Sequence, residues 1–404
     1  LATDVSYTDP TTLVVKLREG VTFWDGSALT VDDVVFSIDK ARTNETSQFL
    51  SDLASVASVE ATDATTVTIK LSEPNSLIRG MLSTSAAVVV SKASAEGNAN
   101  FGLPGDTSMI CSGPYMLKEW TPGSKIVVEA NPSWWNKGEG KQLTKQITFS
   151  FITDPAAAVA GYESGELDGG FLIPASSIKA LQASTVGKMG FAQGSAFAAW
   201  VPVMNSDRSM SNPKLRQALA MSLDYANLVD TETAGAGIPA KAVGVPGSWG
   251  NEKAAFQEAW DALPDQVTDL EAAKKLVAES GVTNPELVIQ AWSELPDSVN
   301  QALVLQQAAN SVGFNATILK VGFDRVADIY SGAKKTDIDI FGTTYLSVVC
   351  DPLFIYSQIG LETGFANWGG YSNAEVNELV KSALATTDDA ERAKITIEIQ
   401  QLIV

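Results

Sequence analysis

The stretch "TDLEAAKKLVAESGVTNPELVIQAW", residues 268–292, switches once from a helical apolar period to an extended one, and that switch decides the fold class. Thr268 and Glu271 read as a capping box, a helix is expected over 269–280, and Gly281 stands just past its end as a stop. The next segment, "ELVIQAW", reads as a strand. Working outward, the alternation continues: a helix over 298–312 closed by Gly313, the strand "NATILKV", a short helix from Asp324, the strand "DIDIFG", and helices beginning near Ser372 and Asp388. Alternating strands and helices predict an α/β lobe built on a largely parallel sheet, so the fold class is α/β.

Upstream, Asn212-Pro213 starts a helix with Leu215, Ala218, Leu219 and Leu223 on one side. Residues 231–265 are rich in Gly, Pro, Ala and Trp, show no clear period, and are expected to form a long ordered loop. Between 112 and 151, "SGPYMLKEW", "SKIVVEA" and "KQITFSF" are separated by Pro122-Gly123 and "NPSWWNKGEG", which implies a meander or a central sheet. Nearer the start, "DPTTLVVKL" (9–17) and "DATTVTIKL" (63–71) share one plan, a turn followed by alternating apolar residues. Only nine residues match, so these are read as two convergent strands and not as a repeated domain. Between them Asp25-Gly26 makes a turn, and Thr30 with Asp33 forms a capping box before a helix whose apolar face is Val31, Val34, Val35 and Ile38. Asp32 and Asp33 suit the positive end of that helix, a structural role.

Composition narrows the function. A chain of 404 residues, 45% of them hydrophobic, is long enough for more than one domain. Its 47 acids against 28 bases give a formal charge of −19, which argues against nucleic acid and anionic lipid as partners. No apolar run approaches the ~20 residues of a membrane helix; the run at 86–90 is far too short. The complete absence of histidine removes Ser-His and Cys-His nucleophile pairs, most zinc sites and the commonest general base. Two cysteines, Cys111 and Cys350, fit one disulfide or two separate thiols equally well on composition. The sequence begins at Leu1 without Met and stops at Val404 inside an uncapped helix, so trimmed ends are expected.

No nucleotide-cradling, nucleophile-elbow or zinc-protease motif occurs. Asp351, Asp337 with Asp339, and Asp388 with Asp389 are the acids to weigh as glycosidase acid/base groups, the enzymatic alternative. Among the nine tryptophans, Trp249, Trp292 and Trp368 lie beside turn residues and are the better candidates to line a cleft.

Taken together, "LREGVTFWDGSALTVDDVVFSIDKAR" (17–42), "VVVSKASAEG" (88–97), "CSGPYMLKEWTPGSKIVVEANPSWWN" (111–136), "AAAVAGYESGELDGG" (156–170) and "NPKLRQALAMSLD" (212–224) resemble the solute-binding proteins of peptide/nickel-type ABC importers. Weaker similarity continues through "FGTTYLSVVCDPLF" (341–354) and "GGYSNAEVNELV" (369–380), so the resemblance spans essentially the whole chain. It implies a two-lobed periplasmic-binding-protein-like fold of class II type, hinged, with an additional subdomain. On that template residues 1–111 form the extra subdomain with part of lobe 1, 112–205 the remaining lobe 1, and 206–404 lobe 2. It implies further an exported monomer, periplasmic or a cell-surface lipoprotein, that captures a small solute or peptide and docks on a membrane permease. No catalysis, no cofactor and no bound metal are expected.

The departures bear on the ligand. Peptide binders of this family hold the ligand's α-amino group with an Asp four residues before the Pro of the cleft-lining segment, and here that position is Val348. The basic clamp for the peptide carboxylate is also missing, since no Lys or Arg lies between Lys275 and Lys320. Two readings lead: a peptide held through its backbone, which family frequency favours, or an uncharged solute such as an oligosaccharide stacked on Trp292, Tyr345 and Trp368; nickel, for which no His is present, ranks third and would enter as a chelate. Tyr345 occupies the place of a cleft-facing Trp in the family, and Asn367 and Tyr371 flank a loop that lines the cleft in relatives. The exported context and the placement of Cys111 and Cys350 in the family pattern imply a disulfide between them.

Overall fold

The structure, a computed structural model, describes residues 1–404 except 46, 48, 105, 107, 138–143, 172, 192–193, 195, 204–207 and 326–336. It divides into two compact units, Leu1–Gly170 with Leu384–Thr387, and Phe171–Ala383 with Asp388–Val404. The division falls ahead of the 205/206 boundary expected from the sequence because a strand before that boundary joins the second unit's sheet.

In the first unit β1 (Ala2–Asp9), β2 (Thr12–Leu17), β3 (Val56–Ala61) and β4 (Thr66–Leu71) form an antiparallel sheet in the order β1-β2-β4-β3. The two matching nine-residue stretches are therefore neighbours, with Val15 opposite Val67 and Leu13 opposite Ile69. Their shared Asp-x-Thr builds the same turn twice: the Asp9 carboxylate accepts from Thr11 N–H at 2.9 Å, and Asp63 from Thr65 N–H at 2.8 Å. Alternation puts Leu13, Val15, Val67 and Ile69 into the core. Helix α1 (Val31–Thr43) packs on β3 and β4 and adds Val31, Val34 and Ile38 to it. Each such side chain is worth about 1.5–3 kcal/mol when fully buried.

The turn before α1 forms as expected. Gly26 at φ +85° closes it by donating to Phe23 O at 3.0 Å, a conformation that a Cβ would strain. Asp33 is buried: one carboxylate oxygen accepts from Thr30 N–H and Oγ1 (2.9 and 2.8 Å), the other from Lys92 N–H at 2.8 Å. The acid thus ties the start of α1 to a distant segment. A second sheet in this unit, β5 (Tyr115–Thr121), β6 (Lys125–Ala130) and β7 (Gln146–Ser150), is an antiparallel meander.

The second unit is the α/β lobe. Its sheet runs β10-β9-β11-β8, with β8 (Ala196–Pro202), β9 (Glu286–Trp292), β10 (Asn315–Val321) and β11 (Ile340–Leu346). β10 and β11 each pair parallel with β9, while β8 is an antiparallel edge strand on β11. Helices α2 (Pro213–Met221), α4 (Leu270–Glu279) and α5 (Pro296–Ser311) carry the core residues Leu215, Leu219, Val277, Ala302 and Leu305 against Leu287, Ile289 and Ile340 of the sheet. The cap of α4 is Asp269, not Thr268: the Asp269 carboxylate accepts from Ala272 N–H at 2.9 Å, and the Thr268 hydroxyl donates instead to Leu223 O at 2.6 Å.

The expected loop over 231–265 contains a helix, α3 (Lys253–Asp261), which buries Phe256 and Trp260 against Ala393 of α7 (Asp389–Ile403). The segment expected as a helix from Asp324 begins with a single 3-10 turn, Phe323–Arg325, and its continuation at 326–336 lies outside the described residues. α6 (Leu353–Gly360) precedes a helix at Ala374–Ala385, which Asn373 caps, and Asp388 caps α7 by accepting from Glu391 N–H at 2.9 Å. Among the described residues no helix is long and apolar enough to cross a membrane.

Candidate functional site

The segment leaving β11 reaches α6 through Ser347, Val348, Val349, Cys350, Asp351 and Pro352. It is held from below. Asp351 accepts from Leu353 N–H at 2.9 Å and from Arg392 Nε at 2.8 Å, while Arg392 Nη2 donates to Asp389 at 2.7 Å. Burial alone would lower the Arg392 guanidinium; the Asp351 and Asp389 charges outweigh it and leave that pKa raised. Gly250, at φ +57°, lies so close that a Cβ there would collide with the Cys350 carbonyl. The Ser347 hydroxyl donates to Val349 O at 2.7 Å. With its backbone fixed in this way, the segment turns Leu346 and Val348 outward, 53% and 43% exposed.

Beside it the aromatic residues form a packed stack. Tyr345 is buried and stacks on Phe197 (centroids 5.2 Å, 19° between planes) and on Trp368 (5.5 Å, 19°). Trp368 also meets Phe341 and the edge of Phe365, each at 6.1 Å, and Phe365 itself is 60% exposed. Asn367 closes the loop that carries Trp368, donating from Nδ2 to Leu361 O (3.0 Å) and Tyr371 O (2.7 Å) and accepting from Tyr371 N–H (2.7 Å). The expected cleft aromatics Trp249 and Trp292 are buried within the second unit. Trp249 donates from Nε1 to Gly244 O at 2.9 Å and packs edge-on to Trp260 at 6.0 Å; Trp292 donates its N–H to Ser298 Oγ at 3.1 Å. Large aromatics beside turns are as useful for plugging a lobe as for lining a cleft, which is the use made of these two.

The acids weighed as hydrolytic groups all have structural work. Asp339, 1% exposed, receives Arg208 in bidentate fashion (2.6 and 2.7 Å) and also accepts from Val288 N–H at 2.7 Å. Asp337 faces Arg325 at 2.8 and 3.3 Å. Neither these ion pairs nor the Phe197 and Phe365 contacts were foreseen from sequence, since each joins residues that no local pattern relates. Cys111 and Cys350, expected from the sequence to pair, are both free thiols, and they belong to different units. Burial pushes Cys111 up to about 11. Among the described residues no group of His, Cys, Asp or Glu is placed to hold a metal ion.

Residues 1–367 match the family described as bacterial extracellular solute-binding proteins, family 5 Middle. The glutathione-binding protein GsiB of Escherichia coli K12 is 28% identical over 414 residues, covering 98% of this chain and 77% of that protein. A putative peptide-binding protein AppA from Clostridium difficile is similar in structure over all of this chain and 82% of its own (TM-score 0.83, 25% identity). NikA from Staphylococcus aureus, solved with Ni(L-His)2, shares the fold over 100% and 82% of the two chains (TM-score 0.76, 20% identity). These solutes differ, while the architecture and the capture role are common to the family. The chain belongs to the family 5 bacterial extracellular solute-binding proteins, the non-enzymatic solute-capturing components of peptide- and nickel-type ABC importers.

Proposed function

We propose that this protein captures a peptide through the peptide's backbone and apolar side chains and delivers it to a membrane permease. The observation that carries peptide over oligosaccharide is Tyr345. A sugar ring needs an open aromatic face, and Tyr345 is buried against both Phe197 and Trp368. Trp292 is buried as well. The exposed apolar side chains nearby, Leu346, Val348 and Phe365, suit peptide side chains. Val348 cannot pair with an α-ammonium, and an unpaired charge in a closed site costs several kcal/mol, so recognition rests on uncharged groups. Relatives with peptidic ligands support the choice: the curated relative is named for glutathione, and AppA of Bacillus subtilis was solved with a nonapeptide.

Capture works by hinge closure, in which a solute that binds the closed form better shifts the population toward it. In this reading the extra subdomain lies within 1–111 and the lobes close on the solute. The protein is exported, either periplasmic or anchored as a lipoprotein. Native mass spectrometry before and after denaturation identifies the co-purified solute. Amino-acid fragments are expected, and a hexose ladder would overturn the peptide assignment. A second arm compares peptides with free and acetylated N-termini: the parent binds both alike, and Val348→Asp favours the free amine by about tenfold or more.

A further inference from the structure

The first unit holds an open cavity of about 660 Å³, formed where α1 meets Ser47, Phe49 and the segments at 85–90 and 101–102. That volume is within the range of small-molecule sites, roughly 300–1,000 Å³. Ala41, Phe49, Ala86, Val88 and Phe101 supply its apolar lining, three serines and Asn44 its neutral polar lining, and its charged member is Lys40. Val88 is 56% exposed and belongs to the apolar run at 86–90, whose members Ala86 and Val89 do go into the core. The fold therefore leaves part of that run uncovered.

Lys40 is placed unusually for a surface lysine. Its ammonium stands 4.7 Å from the Phe101 ring centroid and 5.9 Å from that of Phe36. Among the described residues it has no carboxylate partner. Its sequence neighbour Asp39 pairs with Arg42 at 2.6 Å, and Asp106 accepts from the N–H of the cavity residue Gly102 at 2.9 Å and from Ser108 N–H at 2.8 Å. A cation set beside aromatic and aliphatic side chains, without its own anion, matches a molecule that brings a negative charge on an apolar body.

We propose that this cavity is a second binding site, for a small monocarboxylate with an aryl or alkyl body. The carboxylate meets Lys40, and the apolar part lies against Phe49, Val88 and Phe101. The chain's net charge of −19 repels anions at long range, but beyond the Debye length, about 8–10 Å at ordinary ionic strength, that field is largely screened, leaving the local lysine to govern.

The test titrates the full chain with 4-phenylbutyrate and with its neutral analogue 4-phenylbutanamide, read by calorimetry and saturation-transfer NMR. Saturable 1:1 binding of the acid is expected, with the amide at least about tenfold weaker. Lys40→Met and Phe101→Ala each weaken the acid by about tenfold, while Lys40→Arg retains it. Thermal melts of each variant show that it is folded, and Val348→Asp leaves the titration unchanged, which separates this site from the peptide site. Absence of saturable binding, equal affinity for acid and amide, or binding indifferent to Lys40→Met in a folded variant overturns the proposal.

Discussion

Replacing Arg208 with Met tests the ion pair that fixes the edge of the second unit's sheet. Asp339 is 1% exposed and immediately precedes β11; its carboxylate takes two bonds from Arg208 at 2.6 and 2.7 Å and one from Val288 N–H on β9. Its backbone donates to Val288 O and accepts from Val203, so it also bridges the ladder. Removing one partner of a buried pair costs about 3–5 kcal/mol, because the other charge is stranded. Arg208 retains 20% side-chain exposure, so water can reach the vacated space and the lower end applies, about 3 kcal/mol. For a unit of this size 1 kcal/mol moves the midpoint by about 2–4 °C, giving a drop of about 6–12 °C by scanning calorimetry. The double variant Arg208→Met/Asp339→Asn removes the stranded charge while keeping an oxygen for Val288 N–H, and it should recover more than half of the loss. A single variant within about 1 kcal/mol of the parent, or a double variant no more stable than the single, would refute the reasoning.

Tyr345→Ala should cost about 3–5 kcal/mol of stability by opening a cavity in the aromatic stack; a folded variant with an unchanged melt and lost ligand binding would instead make Tyr345 a contact residue. Asp33→Ala strands the N–H groups of Thr30 and Lys92, and urea denaturation should show a loss of about 1–2 kcal/mol. Cys111 makes stability depend on pH at the alkaline end. Its folded value, about 11, lies above the ordinary 9.0, so from pH 9 upward the unfolded chain releases a proton that the folded chain keeps. Stability therefore falls as pH rises through 9 to 11, by on the order of 2 kcal/mol, and Cys111→Ala should remove that component from the pH series. Unfolded, unreduced protein should titrate two thiols, with Cys350 reacting first in the folded state; a count of zero would restore the disulfide.

Local chemistry made much of the fold legible. The period change at 281–286, the Gly281 and Gly313 stops and the alternation at 13–17 and 67–71 are each set by a few adjacent residues, and they appear in the structure as α4, β9, β2 and β4. β8 was not legible, because its "AFAAWVP" becomes a strand only by pairing with β11, more than a hundred residues later. α3 was hidden in a Gly- and Trp-rich stretch whose two core anchors, Phe256 and Trp260, are too few to establish a period. At the candidate site the strand ahead of Asp351-Pro352 could be read from its alternation and the Asp-Pro step from its chemistry. The burial of Trp249, Trp292 and Tyr345 depends on what covers the far face of a sheet or loop, and no local pattern records that.

The near-identical strands β2 and β4 carry a consequence for how the chain reaches its native state. Two neighbours that both read Thr-Thr, apolar, Thr or Val, apolar, Lys, Leu can slide past one another by two residues without spoiling either apolar face. The native alignment is held by the two Asp-anchored turns, which fix where each hairpin begins, and by Lys70 Nζ donating to Thr12 Oγ1 at 2.8 Å across the seam. Short-range closure is fast and long-range pairing slow, so the order of events matters. Each hairpin sets its own alignment at its turn first, and when the two meet the repeated apolar pattern of the facing edges does little to correct a slip, which leaves the Lys70–Thr12 contact to mark the native pairing.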